Sequence, residues 1–254
     1  MSRNFELLQQ VEREQQVERE QKSHEAALPS PAIIPINRSH ARSGDSSLAR
    51  EEEVKLVQRL FLSGPKAPRV VVFCGVEPGD GPGRICARAS EALSAQVQSS
   101  VCAVDASFRD PGLSQYFEVE RQVGLSDELL DPGTVENVVQ PTATSKLWLS
   151  PWGSEKSEGH TVLRPDQVQS HFADMRARFE YILVSTQPIH QSPEAIALGQ
   201  VSDGVVLVLE ANSSRRDAAQ RVKSNLQAAN IKLLGAVLNN RIFPIPEAIY
   251  RKLQ

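Results

Sequence analysis

The chain has 254 residues, a formal net charge of −3 and 5% aromatic residues, which suits one domain of about 200 residues with a tail. The slightly acidic balance and the scarce aromatics argue against a nucleic-acid partner, which usually needs a basic face and stacking side chains. No apolar run approaches the ~18 residues of a membrane helix and the N-terminus is too charged for a secretory signal, so we expect a cytoplasmic protein without direct membrane insertion.

Residues 1–49 are predicted to be a tail made of a charged helix and a linker. The hexapeptide QQVERE occurs twice in succession between Gln9 and Glu20, and beyond Val11 this helix has one further apolar residue, Val17. A solvated helix is therefore favoured over a partner-binding segment around Phe5. Residues 23–49 are rich in Pro, Ser and Arg, as is typical of a flexible linker. This predicts a tail at 1–49 and a folded domain at 50–254.

From residue 50 onward, helical patterns alternate with apolar strands. Helices are predicted at 50–62, 82–98, 126–130, 165–178, 193–200 and 214–229, and strands at 70–74, 101–104, 146–150, 181–184, 204–209 and 233–238. Apolar strands that alternate with helices indicate an α/β fold whose parallel sheet is covered on both faces. Ligands of such sheets bind at the carboxyl ends of the strands, so the segments that follow the strands form the candidate site.

The stretch 70–84, VVVFCGVEPGDGPGR, organises that edge. An apolar strand enters a glycine-rich turn and then a helix, which is the shape of a phosphate-binding loop. In the pattern G-x-x-x-x-G-K-[ST], the Lys contacts the phosphates and the hydroxyl holds Mg²⁺. Aligned on Gly81, these positions hold Pro82 and Gly83. Since Pro also lacks an N–H, the loop keeps its shape but loses a cation, a metal ligand and a backbone donor.

Together with later motifs, this loop resembles the bacterial tyrosine autokinases of capsule and exopolysaccharide synthesis, relatives of the MinD and ParA ATPases. The family's P-G-E-G-K-[ST] loop corresponds to residues 78–83, D-x-D-x-R-x-P-x-L to 105–113, G-L-S-D-x-L to 124–129, the Walker B strand to 182–188, D-G-V-V-L-V to 203–208 and G-x-V-L-N to 235–239. The resemblance covers about residues 50–254. It implies a P-loop NTPase-like three-layer sandwich with a mostly parallel central sheet, preceded by a flexible tail.

By this resemblance, a degenerate nucleotide site would be formed by Gly79, Asp80, Gly81, Pro82, Gly83, Arg84 and Asn239. Asp105 and Arg109 remain of the charged second phosphate element, and Asp105 is the candidate metal ligand. Ser107 and Ser185 stand where the family has aspartates, and we expect the chain to lack the family's tyrosine-rich tail. We therefore expect weak binding of ATP and Mg²⁺, and we assign no residue a firm catalytic role.

Simpler interpretations stand beside these assignments. Arg84 is favoured as a solvated helix residue over an anion ligand, Asp105 is equally suited to cap the next turn, and Asn239 is favoured as a strand-to-turn residue. His190 is favoured as a loop histidine over a catalytic base, and Trp152 as a core anchor over an interface residue.

The expected function is that of a catalytically impaired tyrosine-kinase-like protein, an assembly or regulatory partner in exopolysaccharide or capsule biosynthesis and export. Its partner would be a transmembrane polysaccharide co-polymerase or an active kinase paralogue, and a homo-oligomer is a further expectation. Docking on the co-polymerase would hold it at the inner membrane.

Two other functions stay open. An active tyrosine autokinase or ATPase of the same system is the main alternative. A dinucleotide-binding oxidoreductase is the distant one: Gly79, Gly81 and Asp105 fit its fingerprint, but Arg84 stands where a third glycine is needed for close packing.

Overall fold

The structure, a computed structural model, describes residues 33–35, 45–107, 112–119, 123–130, 135–153, 164–190 and 194–240. The helices in these ranges are α1 (Asp45–Phe61), α2 (Pro82–Gln96), α3 (Gly112–Tyr116), α4 (Leu125–Leu130), α5 (Val135–Val138), α6 (Pro165–Arg178), α7 (Glu194–Val201) and α8 (Arg216–Ala228). The strands are β1 (Ile33–Pro35), β2 (Val70–Gly75), β3 (Val101–Ala106), β4 (Gln140–Pro141), β5 (Leu147–Ser150), β6 (Tyr181–Thr186), β7 (Gly204–Glu210) and β8 (Leu233–Asn239).

These strands form one sheet in the order β1-β8-β7-β2-β6-β3-β5-β4. Neighbouring strands are parallel except for β4, which is antiparallel to β5. Every residue of β2 and β3 is buried, because central parallel strands are covered on both faces. The predicted mostly parallel α/β sheet is confirmed.

Alternate residues of β2 enter two separate hydrophobic clusters, one on each face of the sheet, because successive strand side chains point in opposite directions. Val70 and Val72 pack in a cluster with side chains of α4, α6, α7 and α8. Val71 and Phe73 pack in the other cluster with side chains of α1, α2 and α3. Helices on both faces of the sheet produce the three layers.

Asp203 fixes the amino ends of two central strands, on the edge opposite the candidate site. Its Oδ2 accepts the backbone N–H groups of Arg69 (2.7 Å) and Val70 (2.8 Å), and Oδ1 accepts Nη2 of Arg176 (2.9 Å). Burial alone would raise the pKa of this carboxyl, but the hydrogen bonds from Arg176 and the two amides outweigh it and lower the pKa. This Asp of the D-G-V-V-L-V motif therefore has a structural use.

Several short elements were not predicted. One of them, β1, falls within the stretch interpreted as a linker and pairs with β8 through Ile33↔Ala236 and Pro35↔Leu238. The predicted helix α1 begins at Asp45 rather than at residue 50. β1, β4, α3 and α5 each have five residues or fewer, too short to show a hydrophobic period. The helix predicted at residues 1–22 lies outside the described residues, and the boundary at residue 49 stays a prediction.

Candidate functional site

Segments that follow β2, β3, β6 and β8 meet at one edge of the sheet, where the sequence placed the candidate site. Asp105 of β3 pairs with Ser185 of β6, and Thr186 pairs with both Ala106 and Cys74. Parallel strands end on the same side of a sheet, so the loop after β2 and Asn239 at the end of β8 lie on this edge too. Arg109 lies outside the described residues.

The loop 76–81 leads from β2 into α2 through two glycines with positive φ. Gly79 has φ +93° and Gly81 has φ +74°, in the left-handed region that glycine adopts without a Cβ penalty. Gly81 is the N-cap of α2 and Pro82 its first residue, a position that suits the fixed φ of proline. Since Pro82 has no N–H, the first turn has one donor fewer for an anion, and the Ile85 N–H makes the usual first helical bond to the Gly81 carbonyl (3.3 Å).

Asp80 fastens this loop to the segment after β7. Its side chain is buried, and Oδ2 accepts hydrogen bonds from the backbone N–H groups of Val76 (2.8 Å) and Glu77 (2.7 Å). Oδ1 accepts from Ser214 Oγ (2.6 Å) and from the Glu210 N–H (3.2 Å). Four donors compensate for burying a carboxylate. Asp80, which the resemblance placed in the nucleotide site, bonds to its own loop.

Asn239 also contacts the loop. Its Nδ2 donates to the Asp80 carbonyl (2.9 Å), and its Oδ1 accepts the Asn240 N–H (3.0 Å). A Cβ on Gly81 would lie 3.1 Å from that Nδ2, so the glycine makes room for the amide. Sequence reasoning considered a base-reading or a strand-to-turn role for Asn239 and missed this one, since the contact joins residues 159 apart in the chain.

Gly83, at the position of the P-loop hydroxyl, touches the first residue of α3. A Cβ on Gly83 would lie 3.0 Å from Gly112 Cα and 3.5 Å from Ser185 Oγ, and a Cβ on Gly112 would lie 3.1 Å from Gly83 Cα. The two backbones are therefore packed against each other where relatives with the full motif carry a Ser or Thr side chain. This contact was not predicted, because it requires knowing that α3 exists and where it begins.

Asp105 accepts hydrogen bonds from the beginning of α3. The side chain is fully buried; its Oδ1 accepts the Ser107 N–H (3.2 Å), and its Oδ2 accepts the N–H groups of Leu113 (3.2 Å) and Ser114 (3.4 Å). Backbone N–H groups at the start of a helix are the donors that a capping carboxylate satisfies. Of the two roles considered for Asp105, the contacts are those of the cap.

Arg84 and His190 are exposed, which agrees with their simpler interpretations. Within the described ranges, no group of three or more His, Cys, Asp or Glu side chains is arranged to hold a metal ion.

Two buried thiols lie close to this edge. Burial raises the pKa of Cys74 to about 11, although a hydrogen bond with Thr186 opposes the rise. Burial, and then the charge of Asp105, raises the pKa of Cys86 well above its ordinary value. Since the thiolate is the reactive form of cysteine, both thiols are unsuited to act as nucleophiles.

The G-L-S-D motif docks on the loop after β5. The N–H groups of Leu125 and Ser126 donate to the carbonyls of Pro151 (2.9 Å) and Trp152 (2.7 Å). A Cβ on Gly124 would lie 2.2 Å from the Pro151 carbonyl oxygen, so this position requires glycine. Trp152 is buried, which confirms its interpretation as a core anchor.

Comparison with known proteins identifies relatives of the chain, although no protein-family model matches it. The tyrosine-protein kinase YwqD of Bacillus subtilis is 27% identical over 181 residues, which are 71% of this chain and 76% of YwqD. The tyrosine-protein kinase CpsD of Streptococcus agalactiae is 25% identical over 191 residues, 74% of this chain and 82% of CpsD. These homologues of the chain are named bacterial tyrosine-protein kinases. A further relative of this chain, the succinoglycan biosynthesis transport protein ExoP of Rhizobium meliloti, is 23% identical over 73% of this chain but only 24% of ExoP.

Solved structures, among them a tyrosine kinase domain, share the fold. The kinase domain of Escherichia coli tyrosine kinase ETK superposes with a TM-score of 0.75 at 18% identity, covering 85% of this chain and 92% of that domain. The chimerical protein CapA2B2 gives 0.70 at 21% identity (84% and 96%), and MinD of Aquifex aeolicus gives 0.55 at 20% identity (72% and 73%). The predicted P-loop NTPase-like sandwich is therefore confirmed. Across the described residues, no helix has the length and apolar character needed to cross a bilayer.

Proposed function

We propose that this chain is a catalytically impaired, tyrosine-kinase-like protein that serves as an assembly or regulatory partner in bacterial exopolysaccharide or capsule biosynthesis and export. The observation that carries the proposal is the Gly83–Gly112 contact. The backbones of these two residues approach where the P-loop hydroxyl would hold Mg²⁺, and a Cβ on either one would meet the other's Cα at 3.0–3.1 Å. A serine or threonine side chain does not fit there without a shift of α3.

The other residues at this edge do not fit a Mg²⁺-nucleotide either. Pro82 supplies neither an ammonium group nor an N–H to a phosphate. Ser185 replaces the carboxylate of the Walker B strand, and the Asp105 carboxylate already accepts N–H groups of its own chain. Mg²⁺ is usually held through one or two carboxylates and the substrate phosphates, so we assign it no ligand among these residues.

The size of the expected loss follows from the missing donors. A hydrogen bond to a charged group contributes about 1.5–3 kcal/mol net. Loss of the lysine ammonium and of one backbone N–H, together with a metal ligand, should weaken nucleotide binding by roughly 10³-fold or more. A site of micromolar affinity would become millimolar. Phosphoryl transfer depends mainly on positioning and on stabilisation by metal and cationic groups, so it should suffer further.

The proposed partner is a transmembrane polysaccharide co-polymerase or an active kinase paralogue. Support comes from ExoP, which is named a transport protein of succinoglycan biosynthesis and of which this chain matches 24%. There the kinase-like part is joined to a much longer chain. We propose that the kinase-like region of this chain docks on such a protein, on the cytoplasmic face of the inner membrane.

Calorimetric titration with Mg-ATP and Mg-ADP tests the impaired site, with the E. coli ETK kinase domain titrated in parallel as a positive control. We expect millimolar or undetectable binding and no incorporation of phosphate into Tyr116, Tyr181 or Tyr250, the last of which lies outside the described residues. Micromolar binding, or phosphate on any of these tyrosines, would overturn the proposal.

Co-purification with a co-polymerase from the same strain tests the proposed partner, and an unrelated membrane protein serves as the control.

An active tyrosine kinase remains the second candidate, because the homologues named above are tyrosine-protein kinases. The same titration and phosphorylation assay decide between the two. The dinucleotide-binding alternative rests only on the fit of Gly79, Gly81 and Asp105 to its fingerprint, and the relatives named above do not support it. A nicotinamide oxidation assay tests it.

A further inference from the structure

We infer that the loop 76–83 is held closed by contacts within the chain, in a conformation that needs neither nucleotide nor metal. We call these contacts the loop clasp: the hydrogen bonds of the Asp80 carboxylate, those of the Asn239 side chain, and the Gly83–Gly112 backbone contact. The inference rests on the impaired site proposed above, and it explains how such a site stays ordered without a ligand.

The Asp80 carboxylate takes the part that a bound anion plays in a phosphate loop. Phosphate loops are ordered by an anion that gathers backbone N–H groups. Here a carboxylate of the loop itself gathers those of Val76, Glu77 and Glu210 at 2.7–3.2 Å and also accepts Ser214 Oγ. Because Glu210 ends β7 and Ser214 follows it, these bonds join the loop to a neighbouring strand without any phosphate.

The Asn239 side chain holds the other end of the loop. Both of its polar atoms are used within the chain, Nδ2 on the Asp80 carbonyl and Oδ1 on the Asn240 N–H. The amide lies beside Gly81, immediately before α2. Asp80 is therefore bonded through its side chain to β7 and the segment after it, and through its carbonyl to β8.

The third part of the clasp joins α2 to α3. In a P-loop enzyme, Mg²⁺ and the phosphates connect the P-loop hydroxyl with the carboxylates at the ends of neighbouring strands. Here Gly83 meets Gly112 directly, with Ser185 Oγ close by, and Asp105 caps α3 from the end of β3. At the far end of α3, Tyr116 Oη donates to Glu91 Oε2 of α2 (2.8 Å). α3 is thus attached at both ends without a metal.

Thermal unfolding of Gly83→Ala, Gly112→Ala and the double variant, all without nucleotide, tests the contact. Neither glycine has a positive φ, and alanine normally stabilises a helix relative to glycine. If the loop clasp exists, these alanines should instead destabilise the protein. Each single variant should lower Tm by roughly 3–10 °C, as overpacking does. The double variant should lose less than the sum, because the first added methyl already separates the backbones.

Ala95→Gly is the matched control, since Ala95 is exposed on the same helix. It should lower Tm by a few degrees, which is the ordinary glycine effect. Alanine variants of Gly83 or Gly112 that raise Tm, or losses that simply add, would overturn the clasp.

Hydrogen exchange of the wild-type loop provides the second measurement. The Glu77 amide should show the same protection in EDTA as in Mg-ATP, and Asp80→Ala should abolish it, whereas the Val76 amide, which also donates to the Val208 carbonyl (3.2 Å), should keep part of its protection. Protection that appears only with Mg-ATP would overturn the inference. Failure of the proposed function is distinguishable, because tight Mg-ATP binding or phosphate transfer would refute the impaired site, whereas the unfolding cycle is run without nucleotide and decides the clasp by itself.

Discussion

The turn at Gly124 and the loop 76–83 both lie in motifs of the bacterial tyrosine kinases, and they relate to those motifs differently. At Gly124 the motif residue is present, and the absence of a side chain lets the Pro151 carbonyl come within 2.2 Å of the Cβ position. At the loop the motif's Lys and Ser/Thr are replaced by Pro82 and Gly83. The backbone still turns from strand to helix, and the contacts there are made within the chain.

The difference shows which residues a backbone needs and which only a ligand needs. Proline suits the first position of α2 as well as lysine would, and Gly83 leaves space that Gly112 fills. These replacements are compatible with the fold because they disturb no packing. Similarity to kinase structures therefore indicates that the turn at Gly124 is kept, but it does not indicate whether the loop 76–83 binds phosphate.

Gly124→Ala should have the largest effect on stability. The added methyl would meet the Pro151 carbonyl oxygen and the Gly153 amide at 2.2 and 2.5 Å, and backbone on both sides leaves nowhere to move. We expect a loss of about 3 kcal/mol or more in the free energy of unfolding, at the upper end for overpacking. Urea denaturation measures it.

Gly199→Ala is the control for that variant, because there the new methyl meets the flexible end of the Ile231 side chain. Its cost should be under about 1.5 kcal/mol. Equal denaturation midpoints for Gly124→Ala and the wild type would show that the turn tolerates a side chain. The claim that this position requires glycine would then be wrong.

Asp80→Ala should rank next. Removing the carboxylate leaves the Glu77 N–H and the Ser214 hydroxyl without their acceptor, whereas the Val76 N–H keeps the Val208 carbonyl (3.2 Å) and the Glu210 N–H keeps Ser214 Oγ (2.7 Å). The expected loss is about 2–3 kcal/mol, measured by the same denaturation. Ser214→Ala removes one of these bonds and should cost about 1 kcal/mol. If Asp80→Ala costs no more than Ser214→Ala, the loop is held by other contacts.

The sequence predicted the sheet and the edge where the candidate residues meet, because long apolar strands and turn residues are local signals. It did not predict what Asp80, Asn239 and Gly83 touch. Apart from the local bonds to Val76, Glu77 and Asn240, those contacts depend on residues 29 to 159 positions away, brought together by the sheet order and by the short helix α3. Local pattern thus locates the candidate residues, whereas their partners require the fold.

Acidic pH should destabilise helices α4 and α6, close to Gly124, through protonation of His171. This histidine is buried on α6, which packs against α4, and none of the described residues hydrogen-bonds either ring nitrogen. Burial lowers its pKa from 6.5 to about 4, although the Asp174 charge opposes the shift. The unfolded chain therefore binds this proton at higher pH than the native protein does, so stability is complete above pH 6.5 and falls between pH 6.5 and 4.

The loss from His171 should reach about 2 kcal/mol at pH 5. Denaturation midpoints measured from pH 7.5 to 4.5 should flatten in His171→Leu, and His190→Gln, a change at an exposed histidine, should keep the wild-type slope. Hydrogen exchange at pH 5 should show α4 and α6 opening before the loop 76–83. An unchanged slope in His171→Leu would assign the acid sensitivity to another group.

The smallest expected effect lies at the far end of α3, where Tyr116 donates to Glu91 of α2. Burial raises the pKa of Tyr116 to about 12, and the hydrogen bond and charge of Glu91 add to the rise. Glu91→Gln should therefore lower the Tyr116 pKa only part of the way towards 10, because burial is the larger cause and remains. Absorbance of the phenolate during alkaline titration measures this pKa, and Tyr116→Phe identifies the transition that belongs to Tyr116.

Tyr116→Phe should also lower the free energy of unfolding by about 1 kcal/mol, less than any change at Gly124 or Asp80. A larger cost would mean that α3 is held mainly by its tyrosine and not by the glycine contact at its start.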